Sequence, residues 1–204
     1  MSYYKEHAEE FIKDTFDCDM SEQYRFFEKH LKGNGTILDI GFGSGRDSLY
    51  FKSKGYEVWA IDPEGEFVKR GKLLGLDKVF LMKAEQIDFV NTFDGIWACA
   101  SLLHVPSNSL RNVFEKCAIS LKENGVMYAS FKYGDFEGIR NNRFYLDLNE
   151  QLLNKYLNGT SLEIIEVSIT EDVRPDRKER WLNALLKKHN NGKWRLQKNC
   201  WKGN

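Results

Sequence analysis

The sequence predicts an α/β protein with an open sheet of about seven strands. The sheet is expected to be mostly parallel with an antiparallel C-terminal hairpin, helices on both faces and an N-terminal helical lid. Three observations carry this. Strand and helix signals alternate from residue 36 to residue 160. The strand segments are near-continuous apolar runs, as in parallel sheets covered on both faces. The last two, "LEIIEVSIT" and "ERWLNALLKKH", lie too close together for a helical crossover, so they must pair antiparallel.

Each element has its own signal. "KEHAEEFIKDTF" puts Ala8, Phe11, Ile12 and Phe16 on one helical face, and "MSEQYRFFEKHL" reads as a second helix with Ser21 as its cap. "TILDI" is a buried strand, and "GRDSLYFKSKG" a helix closed by Gly55. "YEVWAID" is the second strand and ends at Asp62. "EGEFVKRGKLLG" is a helix, "KVFLMK" a short third strand, and "TFDGIWACASLLHV" a fourth strand running into a loop. Pro106 and the Ser/Asn cluster after it start the helix "LRNVFEKCAISLKENG". "GVMYASFKY" is the fifth strand and "LDLNEQLLNKYLNG" the last helix. One domain is expected over residues 1–190, its first 33 residues forming the lid, followed by a basic tail over 191–204.

The bulk properties narrow the classes. A chain of 204 residues suffices for one well-buried core. A formal net charge of +0 argues neither for nor against a polyanionic partner. The opening "MSYYKEHAEEFIKD" has no apolar secretory core, and no apolar run approaches the ~20 residues of a membrane span. Cys18, Cys99, Cys117 and Cys200 form no C-x-x-C pair and have no histidine at zinc-ligand spacing. The expectation is a cytoplasmic protein with reduced thiols, no metal and no membrane partner. Oligomeric state has no signal in the sequence.

The chemistry starts at "ILDIGFGSGRDS". Gly41, Gly43 and Gly45 follow the first strand, where glycine lets the backbone turn sharply and approach a ligand. The following helix points free N–H groups at that space, suiting an anionic group. A tight turn with no ligand would use the same glycines. The dinucleotide fingerprint G-x-G-x-x-G is not met: the third glycine comes one residue early, and Arg46 stands where it should be. A Walker A sequence is absent too. Asp39 precedes the glycines and is expected to face the pocket. Asp62, at the end of the second strand, suits the two hydroxyls of a ribose.

An acidic residue before G-x-G-x-G, with Asp62 after it, resembles the class I S-adenosylmethionine-dependent methyltransferases, over nearly the whole chain. The resemblance implies a Rossmann-like sheet, S-adenosyl-L-methionine as cofactor and S-adenosyl-L-homocysteine as product. It implies that Gly41, Gly43 and Gly45 lie along the cofactor's methionine and ribose, and that Asp39 helps hold its amino group. Asp62 would take the ribose, Pro63 would lie beside the adenine, and Ala84 and Glu85 at the adenine edge. Ser101 to His104 would line the transfer site. Phe42 departs from the small or sulfur residue that many members carry there, a change expected to affect packing more than function. "GSGRDSLYF…KGYEVWAID" and "EDV" before a basic turn are similar to the tellurite-resistance-type and related small-molecule branch. "SYYKEHAEEF" resembles that branch's cofactor-covering first helix, with Tyr4 as the candidate contact.

Ligands of open α/β sheets sit outside the carboxyl ends of the parallel strands. The loops there carry Lys132, Arg140, Arg143, Arg174, Arg177 and Arg180. Arginines in such loops suit a carboxylate, phosphate or oxyanion acceptor. Arg140, Arg143, Arg174 and Arg177 are the candidate substrate contacts, against the alternative of a solvated surface paired with local carboxylates. His104 and Tyr133 are the candidate catalytic side chains. His104 has a suitable pKa for proton removal, although a histidine at this point can equally shape the pocket. Tyr133 and Phe136 offer an aromatic wall, or simply pin their loop.

The expected acceptor is thus a small polar or anionic molecule. "ASLLHVP" lacks the Asn/Asp-Pro-Pro-aromatic sequence of DNA amino-methyltransferases, and nucleic acid is not the expected partner. RNA or protein acceptors and a non-catalytic cofactor binder remain alternatives. The tail "KKHNNGKWRLQKNCWKGN" interleaves aromatic and basic residues, which could bind single strands or pack against an edge.

Overall fold

The computed structural model describes residues 3–31, 33–174 and 177–189, and the side chains of residues 3–6 lie outside that description. Nine strands and six helices are described. A 7-stranded sheet has the order β3-β2-β1-β4-β5-β9-β8. Its parallel part is β1 (Thr36–Ile40), β2 (Glu57–Asp62), β3 (Lys78–Leu81), β4 (Phe93–Ala98) and β5 (Leu121–Lys132). β9 (Arg180–Lys188) runs antiparallel to both β5 and β8 (Leu162–Glu171), so one reversed strand lies inside the sheet as expected. The order reverses between β1 and β4, and that switch point opens a crevice at the strands' carboxyl ends.

Alternation along the strands splits the core. Leu38, Ile40, Ile61, Ile96, Met127 and Leu186 face α5 (Ser107–Ser120) and α6 (Glu150–Leu157). On the other face, Ile37, Val58, Trp97, Tyr128 and Leu185 meet α2 (Ser21–Glu28) and α3 (Arg46–Ser53). Ala60 and Val79 continue that face under α4 (Gly65–Leu73), where Ala8, Phe11 and Ile12 of α1 (Tyr3–Thr15) also pack.

The two N-terminal helices therefore have different roles. α2 is a core helix: Phe27 is fully buried, and a Cβ on Gly95 would come within 2.7 Å of its ring. α1 lies along the crevice, lining it with His7, Glu10, Phe11, Asp14 and Thr15, whereas α2 reaches it through Gln23. The start of α2 also differs from expectation. Ser21 is its first helical residue, and the Ser21 N–H donates to Asp19 Oδ1 at 2.9 Å.

Two more boundaries move. α5 ends at Ser120, where its hydroxyl donates to Lys116 O and Phe89 O, and the buried Leu121 already pairs with Phe93 in β5. The segment expected as a loop after β5 contains a hairpin, β6 (Glu137–Arg140) and β7 (Arg143–Leu146). Its two-residue turn is Asn141-Asn142, both at positive φ (48° and 59°), the geometry that matches strand twist and that asparagine tolerates. The basic tail, 191–204, lies outside the described residues.

Candidate functional site

A cavity of about 590 Å³ occupies the crevice. Glycine-loop residues, α1 and the end of β2 wall one half. The loop after β4, the β6–β7 hairpin and the ends of β5, β8 and β9 wall the other.

Gly41 and Gly43 line the first half, while Gly45 does not and packs against Leu74; the three have φ of 70°, 50° and 85°, conformations that side chains resist. Space is also short. A Cβ on Gly41 would lie 2.6 Å from Ser101 Cβ, and one on Gly43 would lie 2.9 Å from the Phe11 ring. Phe42 turns into the α4 cluster, against Gly71, while still reaching the cavity wall beside Pro63.

Asp62 lines the cavity and is 4% exposed. It accepts the Gly43 N–H at 3.1 Å and the Glu64 N–H at 2.9 Å. Burial pushes its carboxyl up to about 6, against these two donors. A carboxylate accepts about four hydrogen bonds, so Asp62 retains capacity for a ligand's hydroxyls. Ser101 Oγ, also on the wall, is buried without a hydrogen-bond partner.

Asp39 does not line this cavity. It lies behind the loop, 2% exposed, with its carboxylate accepting Ser48 Oγ at 2.6 Å. The carboxylate that lines the wall beside it is Asp47, the second residue of α3. Arg46 grips it through Nε (2.7 Å) and Nη2 (3.0 Å), Tyr24 through its hydroxyl (2.6 Å) and Trp97 through its indole N–H (2.9 Å). Burial raises the Asp47 pKa, but Arg46 and these donors outweigh it, and the net shift is downward. Burial and the nearby Asp47 charge push Asp39 the other way, well above the ordinary carboxylate value. The result is one ionised, gripped carboxylate and one held toward its neutral form. Arg46 also donates to Thr15 O at 3.0 Å, tying the end of α1 to the glycine loop.

The second half is more dispersed. His104 Nδ1 lies 2.7 Å from Phe144 O, and Nε2 lies 2.9 Å from Arg143 Nη2. A guanidinium can only donate, so Nε2 accepts and Nδ1 carries the proton. Burial lowers the His104 pKa, in keeping with this neutral tautomer. In this geometry the imidazole holds Arg143 in the cavity wall, and both ring nitrogens are engaged.

Arg174 also lines the cavity, but Asp172 takes it through two bonds of 2.9 and 2.7 Å, and Trp181 donates to the same carboxylate. Lys132 pairs with Glu179 at 2.8 Å. Arg177 lines the wall with no ion-pair partner among the described residues.

The remaining candidates fall elsewhere. Tyr133 does not line the cavity: its hydroxyl donates to Glu150 at the start of α6, 3.2 Å away, and Arg180 covers its ring. Arg140 turns away to Asp147 and stacks over Phe136, its guanidinium carbon 4.1 Å from the ring centroid. Ala84 and Glu85 form a short 3₁₀ turn after β3 and are not part of the wall. Tyr4 belongs to α1, but its side chain is outside the description.

Several wall residues carried no sequence signal. Asp14 comes from α1, Gln23 from α2, and Thr170 and Asn183 from β8 and β9. Asp47 could have been found, because it sits two residues past the last glycine of the loop, in the first turn of the helix. Among the described residues, no three His, Cys, Asp or Glu side chains converge on a metal-sized site. No helix among them is long and apolar enough to cross a membrane.

The chain is similar to known methyltransferases. Residues 37–125, from β1 into β5, match the family model of the methyltransferase domain. The chain is 28% identical over 166 residues to an uncharacterised methyltransferase of Staphylococcus carnosus, covering 75% of this chain and 79% of that one. Its fold is similar to a Burkholderia thailandensis 1,6-didemethyltoxoflavin-N1-methyltransferase, solved with 1,6-didemethyltoxoflavin and S-adenosylhomocysteine bound. That match has a TM-score of 0.75 at 20% identity and covers 92% of this chain and 84% of the other. A Methanosarcina mazei S-adenosylmethionine-dependent methyltransferase aligns with a TM-score of 0.69 at 20% identity, covering 79% and 95%.

Proposed function

We propose that this methyltransferase domain uses S-adenosyl-L-methionine as donor and methylates a small polar or anionic molecule inside the same cavity. The observation that carries the proposal is the continuity of the cavity. About 590 Å³ joins the glycine loop and Asp62 to the loops after β4, β5 and β8. That volume falls in the range of small-ligand sites, with room for a donor and a compact acceptor. The S-adenosylhomocysteine bound in the Burkholderia enzyme supports the donor, and its bound 1,6-didemethyltoxoflavin supports a small acceptor. The similarity of "GSGRDSLYF…KGYEVWAID" to the tellurite-resistance-type branch points the same way.

The residues fit the donor. Gly41 and Gly43 line the cavity with Ser101 and Phe11 packed where a Cβ would be, and Asp62 offers an acceptor for ribose hydroxyls. Ser101 brings a buried hydroxyl still lacking a hydrogen bond. When bound, S-adenosylmethionine supplies an already activated sulfonium methyl group. Placement can then supply much of the acceleration, up to about 7–11 kcal/mol in favourable intramolecular cases.

The chain's part is accordingly to orient and to exclude water. Arg143, aimed by His104, and Arg177 would meet an acceptor's negative or polar substituents. His7, Glu10, Phe11, Asp14 and Thr15 of α1, with the hairpin residues Phe144 and Tyr145, wall this space. Proton removal by His104 would first require breaking its contact with Arg143, so we assign it a positioning role.

The test is a screen of small acids, amides, thiols and oxyanions with the purified protein, following S-adenosylhomocysteine release. Donor-dependent turnover of at least one small acceptor is expected. Turnover confined to RNA or protein would contradict the assignment.

A further inference from the structure

Gln23 sits in the first turn of α2, is 6% exposed and lines the cavity. Its Oε1 is buried without a hydrogen-bond partner. The helix cannot easily swing it elsewhere. The next residue, Tyr24, is fixed to Asp47 and stacks on Tyr50 at 3.7 Å between ring centroids, and Phe27 is locked in the core.

The neighbouring wall makes this amide conspicuous. α2 packs on β5 and β9, the acceptor half of the sheet. Apart from Lys132 at the end of β5, which is paired with Glu179, the polar wall residues those strands supply are uncharged and already satisfied. Tyr128 donates to Asn183 Oδ1 at 2.7 Å, and Asn183 Nδ2 donates to Thr170 Oγ1 at 3.0 Å. Ser130 Oγ accepts the Ala100 N–H at 2.9 Å. Met20 and Cys99 complete this part of the wall, the Cys99 thiol kept neutral by burial. The charged pair nearby, Arg46–Asp47, is closed on itself.

A buried amide left unpaired is costly, so a primary carboxamide in such a place marks a ligand contact. Whichever way the amide is turned, one terminus accepts and the other donates. A carboxylate ligand would engage only the N–H side and leave the oxygen orphaned. A ligand edge with a donor and an acceptor side by side pairs with both.

We infer that Gln23 reads the methyl acceptor, and that the acceptor presents an uncharged N–H/C=O edge of the kind found in lactams and cyclic imides. This rests on the methyltransferase reading above and narrows its acceptor class. Charged substituents of the same molecule would fall to Arg143 and Arg177.

The test uses the full chain saturated with S-adenosylhomocysteine. Uracil and hydantoin serve as lactam and imide probes, with benzoate as the anionic control, followed by calorimetry. Wild type is expected to bind at least one of the two probes more tightly than benzoate. Gln23→Leu, similar in size and unable to hydrogen-bond, should weaken that binding about tenfold, the loss of one buried hydrogen bond. Its S-adenosylhomocysteine affinity should stay near that of wild type. Without ligand, Gln23→Leu should melt at or above the wild-type temperature, because an unpaired amide has been removed. Three results would overturn the inference: equal probe binding by variant and wild type, preference of wild type for benzoate, or a lower melting temperature with loss of S-adenosylhomocysteine binding. Wild type that binds no S-adenosylhomocysteine would sink the methyltransferase reading itself, a distinct pattern.

Discussion

At the β1–β2 end of the cavity, most of the chemistry belongs to one stretch of chain, residues 41–63, and is held by backbone geometry. Gly41 and Gly43 turn at positive φ, and Asp62 is fixed by two backbone N–H groups. At the β5–β9 end, the wall is assembled from α2, the β4–α5 loop, the hairpin and the last two strands, and side chains hold one another. Arg143 rests on His104, Arg174 on Asp172, and Tyr128 on Asn183. The first construction tolerates little variation, because its glycines turn at positive φ with Ser101 and Phe11 packed against Gly41 and Gly43. The second can change one pair at a time, which is how one fold accommodates many acceptors.

Asp47 joins the two ends, and removing it should have the largest effect. Asp47→Ala leaves Arg46 buried without its carboxylate and strips Tyr24 and Trp97 of their acceptor. Breaking a buried pair of this kind costs about 3–5 kcal/mol, and urea denaturation should show a loss of that size. A loss confined to ligand binding, with stability unchanged, would mean that Asp47 serves only one end.

The next effect separates the ends by pH. Asp62 titrates near 6 in the folded protein, above the ordinary aspartate value, because burial disfavours its charge. As pH falls through that window the folded protein takes up a proton before the unfolded chain does, so this group makes the free protein more stable. Asp39, shifted in the same direction, adds to it. Donor affinity should move oppositely, weakening below about pH 6 as Asp62 loses its charge. Calorimetric titrations across pH 5–8 would check this, and donor affinity flat across the range would exclude Asp62 as a ribose contact.

These outcomes bear on what the sequence could reveal. The sheet, its reversed strand, the glycine loop and Asp62 were legible because each rests on local grammar: apolar runs, glycine spacing, and an acid at a strand end. Asp39 was misplaced because strand alternation, which no local motif encodes, turns it toward Ser48 behind the loop. The hairpin was read as a loop even though Asn141-Asn142 between two alternating segments is its signal. The arginines looked equivalent in sequence. Arg140 and Arg174 proved to be paired with Asp147 and Asp172, and only folding selects those partners.

Two smaller effects sharpen the contrast. His104→Gln keeps an acceptor for Arg143, and should raise the acceptor KM severalfold while leaving kcat and the pH–rate profile nearly unchanged. Loss of the acid limb of that profile would instead make His104 a base. Tyr133→Phe removes a partly exposed hydrogen bond outside the cavity, worth about 0.5 kcal/mol, and should leave turnover within about twofold of wild type.

The central claim is that the glycine loop and Asp62 hold S-adenosylmethionine and not a dinucleotide. Calorimetric titration of the wild-type protein near pH 7.5 with S-adenosylmethionine and, separately, with NAD tests it most directly. The account predicts saturable one-to-one binding of S-adenosylmethionine and no measurable binding of NAD. Tight NAD binding without S-adenosylmethionine binding would contradict it.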